Sequence, residues 1–224
     1  MVHFLLKNGA DVELGFGTET PLSAAVNHDF NDIVVMLLHA GAKVEGNTNN
    51  CSLPLSTALY KKNEAIVHLL LKHNMNVSAT GYHGTTALHI AASYGRDTIA
   101  TYLLARGADA SANKTHTKNT PLHNATEKGF TQCAAVLIQA APTVINQQNM
   151  TDETPLHIAA KKGHQAIVQL MLHSGTAQLD LEDEWGCTPY QIAKQHNHEA
   201  VAQLLAEHHA NTPSSSQKKL AYTM

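Results

Sequence analysis

Sixteen histidines and three cysteines in a chain of 224 residues are material for a metal centre or an acid–base pair. Their spacing argues against both. The cysteines, Cys51, Cys133 and Cys187, lie far apart and form no CxxC pair. No HExxH segment or Cys/His finger spacing occurs, so no metal-ligating residues are expected. His89, His123 and His157 each follow a threonine by three residues; His164 and His198 share a second recurring position, and His39 and His173 a third. The local concentration that remains is His196, His198, His208 and His209, where zinc or nickel binding would be adventitious. No GxSxG, GxxxxGK[ST] or GxGxxG segment is present, and no separated Cys/His/Asn set, so neither a catalytic residue nor a cofactor is expected.

The histidines recur because a tetrapeptide recurs. It begins at Thr20, Leu53, Thr86, Thr120, Thr154 and Thr188, reads TPLS, LPLS, TALH, TPLH, TPLH and TPYQ, and returns after 33, 33, 34, 34 and 34 residues. A period near this length signals stacked helical units, each too small to bury its apolar face alone. The threonine hydroxyl can cap a helix whose first position takes proline without loss. Leucine and alanine at the third, sixth and seventh positions give that helix a face for close packing, and Gly95, Gly129 and Gly163 close it. A bulkier second helix follows, with Ile33, Val34, Leu37 and Leu38 recurring as Ile66, Val67, Leu70 and Leu71 and as Ile167, Val168, Met171 and Leu172. Cys133 falls in the slot of Ile33 and Ile167 and reads as core. Cys51 and Cys187 fall in the connecting segments, and this cysteine usage fits a reducing compartment.

The segment TPLHIAAKKGHQAIVQLMLHSG (154–175) and its counterpart TALHIAASYGRDTIATYLLARGAD (86–109) resemble the ankyrin repeat, and the other copies align with them slot for slot. The resemblance covers nearly the whole chain. It implies an all-α fold, a solenoid of stacked helix-turn-helix units with connecting β-hairpin fingers. It also implies hydrogen-bonding roles for His89, His123 and His157 between loops and neighbouring repeats. The expected organisation is an array over residues 1–211: a half-repeat at 1–15, then six units starting near Phe16, Asn49, Tyr82, His116, Met150 and Glu184. Residues 1–9 match only a second helix. In the last unit Gln191, Lys194, Gln195 and Gln203 thin the apolar surface, as a terminal repeat requires. Residues 212–224 (TPSSSQKKLAYTM) lack periodicity and are expected to be a disordered tail.

Composition narrows the function. A net charge of −3 and a pI of about 6.6 argue against nucleic acid as the partner. The longest apolar run, Ile33 to Leu38, is too short for membrane insertion. Repeats of 33 or 34 residues leave no insertion for a catalytic loop. The resemblance implies a non-enzymatic protein-protein interaction module, an adaptor or scaffold, binding on the inner face and finger tips. The alternative is the targeting segment of a larger protein, such as a secreted bacterial effector acting in a host cell. The free slots hold Phe16, Tyr60, Tyr82, Tyr94 and Trp185, in a chain with only 5% aromatic residues, together with Lys128, Lys161 and Lys162. These are the candidate partner-binding residues, although Trp185 reads more readily as packing on the adjacent finger. The expected partner is an extended or helical protein segment, apolar toward the tyrosines and acidic toward the lysines. A monomer is expected, in the cytoplasm or moving between cytoplasm and nucleus, or in the host cytosol for an effector. Asn146 lies near the finger slot that is hydroxylated in some ankyrin-type repeats.

Overall fold

The computed structural model describes residues 1–15, 19–45, 54–73 and 75–211, the side chain of Asn211 excepted. Phe16, Asn49, Asn50, Cys51, Leu53 and the expected tail at 212–224 lie outside the described residues. The chain divides into two compact units. The first, Met1–His116, holds α1 (Val2–Lys7), α2 (Pro21–Asn27), α3 (Asn31–His39), α4 (Pro54–Tyr60), α5 (Glu64–Lys72), α6 (Ala87–Ser93) and α7 (Asp97–Ala105). The second, from Thr117 onward, holds α8 (Pro121–Glu127), α9 (Thr131–Ala140), α10 (Pro155–Lys162), α11 (Gln165–His173), α12 (Pro189–Gln195) and α13 (Glu199–Asn211). No described helix is long and apolar enough to cross a membrane.

The first helix of each repeat has only seven or eight residues, well below the length at which an isolated helix is stable in water. Capping and packing must therefore hold it. The Thr20 hydroxyl accepts the Ser23 N–H at 3.2 Å, and Thr86, Thr120, Thr154 and Thr188 make the same i+3 cap. Such a cap contributes about 1 kcal/mol. In the first unit α2, α4 and α6 pack side by side with α3 against α5; in the second α8, α10 and α12 do so, with α9 and α13 flanking α11. Ala25, Ala58, Ala91, Ala125, Ala159 and Ala193 recur at one slot and are each at most 3% exposed, which allows the close helix spacing. Cys133 is buried in that core, as its slot requires.

The fingers are shorter than full hairpins. Among the described residues they contain no strand, and isolated bridges take its place, as between Thr80 and Thr86, which pair antiparallel. Their turns are closed largely by side chains. Asn149 Oδ1 accepts the N–H groups of Thr151 and Glu153, and Asp183 Oδ1 those of Trp185 and Cys187. Successive fingers are tied through the backbone, as in the Glu184 N–H donating to the Thr151 carbonyl at 3.1 Å.

The slot that closes the first helix is left-handed in every repeat, but glycine fills it in only three. Asp29 (φ 57°), Lys62 (φ 59°) and Asn197 (φ 60°) adopt the conformation that Gly95, Gly129 and Gly163 take. At Gly163 glycine is needed twice over, because a Cβ would also lie 2.6 Å from His198 Nδ1. At exposed Lys62 a Cβ is borne at a cost of about 1–2 kcal/mol. Lys62→Gly should therefore stabilise the chain by about 0.5–1 kcal/mol, after the extra unfolded-state entropy of glycine is subtracted. Gly163→Ala should destabilise it by more than that gain. Urea unfolding midpoints of the two variants check both signs.

Candidate protein-binding surface

The tetrapeptide histidines are the best-defined polar groups in the molecule. His123 is fully buried, and its Nδ1 accepts the Thr120 N–H at 3.1 Å with the Thr120 hydroxyl at 2.8 Å. With Nδ1 accepting, Nε2 carries the proton and donates to the Glu153 carbonyl at 3.1 Å, in the finger of the next repeat. His157 repeats this between Thr154 and the Cys187 carbonyl. The ring thus caps one helix and holds the following finger, a job that requires the neutral form. A second proton on Nδ1 would face the Thr N–H. Burial, the dominant cause, pushes the His123 pKa from 6.5 down to about 4 and lowers that of His157 as well.

Fingers held in this way fix where their tips point. In the first unit Tyr60 ends α4 and Tyr94 caps the C-terminus of the neighbouring α6; they are 72% and 37% exposed. Tyr82, 54% exposed, lies in the finger that leads into α6. Its ring is 3.6 Å from that of His83, which meets His116 edge-on at 4.0 Å. Local burial and the His116 imidazole lower the His83 pKa. Two neighbouring cations are engaged, Lys61 with Asp29 at 3.0 Å and Arg96 with Glu64 at 3.0 Å, while Lys62 is exposed. The first unit therefore shows exposed aromatics beside two surface ion pairs.

In the second unit the three candidate lysines have different surroundings. Lys161 is bound at 2.9 Å to Glu153, and Lys162 at 2.8 Å to Glu127. Burial pushes the Glu153 carboxyl up, but Lys161, with Thr151 and Asn149, outweighs it and holds the pKa below the ordinary value. Lys128, exposed at the C-cap of α8, makes no such pair. Trp185 is 64% exposed at its fingertip, and Met150, on the preceding finger, is 55% exposed. Phe30 (52% exposed, stacked on His28) and Tyr190 (43%) are exposed aromatics that the slot reading passed over. Tyr190 was findable, because it replaces the leucine of the other tetrapeptides. Asn146 uses its amide to pin the next connection: Nδ2 donates to the Thr176 carbonyl at 2.7 Å, and Oδ1 accepts the Gln178 N–H at 2.9 Å. Among the described residues no three His, Cys, Asp or Glu side chains are grouped to hold a metal ion.

Ankyrin repeat profiles match residues 45–114 and 110–183 as sets of three copies and residues 19–50 as a single copy. The chain belongs to the ankyrin repeat family. It is 34% identical over 103 residues to the mouse (Mus musculus) B-cell lymphoma 3 protein homolog, covering 46% of this chain and 23% of that protein. It is 35% identical over 100 residues to the putative ankyrin repeat protein FPV223 of fowlpox virus (strain NVSL), covering 43% of this chain and 67% of the viral protein. The match thus spans less than a quarter of the mouse relative. Ankyrin repeats are in general protein–protein interaction modules, and the family is typically non-enzymatic.

The histidine links carry a pH signature. The unfolded chain protonates His123 near pH 6.5 and the folded chain only near 4, so the stabilisation is complete above about 6.5 and is lost as pH falls toward 4. At roughly 1.4 kcal/mol per pH unit, His123 alone accounts for about 3 kcal/mol, and His157 acts in the same direction. Gln191 already fills the histidine slot in the last repeat, its Oε1 accepting the Thr188 N–H at 2.7 Å. His123→Gln should therefore keep the cap, lower stability at pH 7.5 by about 1 kcal/mol, and flatten the decline between pH 7 and 5. Denaturant titrations across that range test it.

Proposed function

We propose that this ankyrin array works as a non-enzymatic adaptor or scaffold that takes an extended or helical segment of another protein. The observation that carries the proposal is the trio Tyr60, Tyr82 and Tyr94, all solvent-exposed in the first unit. Exposed tyrosines offer large, rigid contact area, and such residues supply much of the energy at protein interfaces. In the second unit Lys128 and Trp185 extend the candidate set, while Lys161 and Lys162 would have to exchange Glu153 and Glu127 for an acidic partner. A monomer in the cytoplasm or nucleocytoplasm fits this reading. A second reading, the recognition segment of a larger protein such as an effector acting in a host cell, draws support from the small fraction of the mouse relative that the match spans.

Affinity enrichment from a cytosolic extract, comparing the wild type with Tyr60→Ala/Tyr94→Ala, tests the surface. Both side chains are exposed, so the double variant should unfold at the wild-type midpoint and lose the retained partner, with a binding penalty of a few kcal/mol, roughly. Equal retention by the two proteins would remove the tyrosines from the interface.

A further inference from the structure

The third residue of the tetrapeptide is Leu22, Leu55, Leu88, Leu122 or Leu156 in five repeats, each at most 1% exposed. In the last repeat it is Tyr190, and it is 43% exposed. A slot on the second helix shows a similar contrast: Leu38, Leu71, Ile138 and Leu172 are buried and Leu104 is half-buried, whereas Ala206 is exposed. Tyr190 and Ala206 line one open, largely apolar groove of about 380 Å³, with Leu179, Asp180, Leu205, His209 and Ala210. The polar residues that thin the last repeat do not cover this face. Lys194 pairs with Glu199, Gln191 caps α12, and Gln203 bonds to Glu207. Slots that most other repeats bury are open here.

The residues that follow α13 have the composition to fill it. Thr212 to Lys219 are polar or small, and Leu220-Ala221-Tyr222-Thr223-Met224 are largely apolar, with no repeat slot in either part. The segment begins two residues beyond Ala210, a residue of the groove wall. Nine residues from position 211 to 220 can span up to about 30 Å. The groove runs only about 8 Å along α13 from Leu205 to Ala210, so the apolar residues can turn back into it. Lys218 and Lys219, just before them, bring positive charge to the side of Asp180. Tethering also raises the effective concentration of the segment at the groove far above that of a free competitor.

We propose that Leu220–Met224 of the same chain dock in the end-face groove, placing apolar side chains against Tyr190 and Leu205 and closing the array. The test is hydrogen exchange on the full chain, wild type beside Leu220→Asp/Tyr222→Asp, with Ala206→Glu as the groove-side variant. Docking predicts severalfold faster exchange in α12 and α13 of the tail variant and no change in α2 to α6. It also predicts that Ala206→Glu, whose helix content circular dichroism monitors, accelerates exchange at Leu220–Met224, and that adding the tail substitutions to it has no further effect on α12 and α13. Unchanged exchange in α12 and α13 of the tail variant would overturn the proposal. Protection that fades on dilution would also overturn it, by assigning the groove to the tail of a second copy.

Discussion

A neutral imidazole held between the first turn of one helix and the finger of the next repeat is the constraint on which the second unit depends. His123 and His157 each face a backbone N–H on one side and a carbonyl on the other, so the ring has one productive tautomer and no room for a second proton. That state is affordable only in a dry site. Dryness in turn demands that the first helices lie close together, which is why their packing slots hold alanine. Finger register follows from the same bond, because the carbonyls of Glu153 and Cys187 are fixed relative to the helices that precede them. The exposed tips, Met150 and Trp185, are placed as a consequence.

The first unit shows what replaces this link when the imidazole is missing. Ser23 and Ser56 occupy the histidine slot in the first two repeats, and their side chains are too short to bridge to another finger. There a set of connections runs at the opposite end of the helices, through solvent-facing groups: Lys61 and Asn63 to Asp29, Asn63 to Asn31, and Arg96 to Glu64, beside a part-buried bond from the Tyr102 hydroxyl to the Leu71 carbonyl. Exposed pairs of this kind are screened and add little stability, whereas a buried donor or acceptor loses much when its partner is removed. Repeats joined by buried imidazoles are thus coupled more tightly than repeats joined by surface charge.

The threonine caps, the left-handed helix ends at Gly95, Gly129 and Gly163, and the alternation of small and bulky helices were legible in the sequence because each is a local property repeated at a fixed interval, whereas the same conformation at Asp29, Lys62 and Asn197 had no residue signature. Slot position also predicted exposure at Tyr60, Tyr82 and Tyr94, whereas Trp185, which the slot allowed to pack on the adjacent finger, is 64% exposed. What the sequence hid was long-range or carried by the backbone. The carbonyls that receive His123 and His157 have no residue signature. Lysines 161 and 162 read as free cations, because Glu153 lies in the preceding finger and Glu127 in the preceding repeat. The last repeat read as polar from its residue count, although Tyr190 and Ala206 keep an apolar end face. Counting residues lost the positional information that the slots hold.

Charge and apolar surface carry different obligations in such an array. A partner that recruits Lys161 must take it from Glu153, a carboxylate whose side chain is only 12% exposed and which would then lie largely buried without its cation. Desolvated, unpaired carboxylates are costly, so the exchange returns little net binding energy. An exposed tyrosine at a helix end owes nothing to the fold, since its slot bears no packing duty, and its burial by a partner is gain without a broken bond. Recognition therefore falls more naturally to Tyr60, Tyr82 and Tyr94 than to the paired lysines, while the lysines keep finger and helix in register.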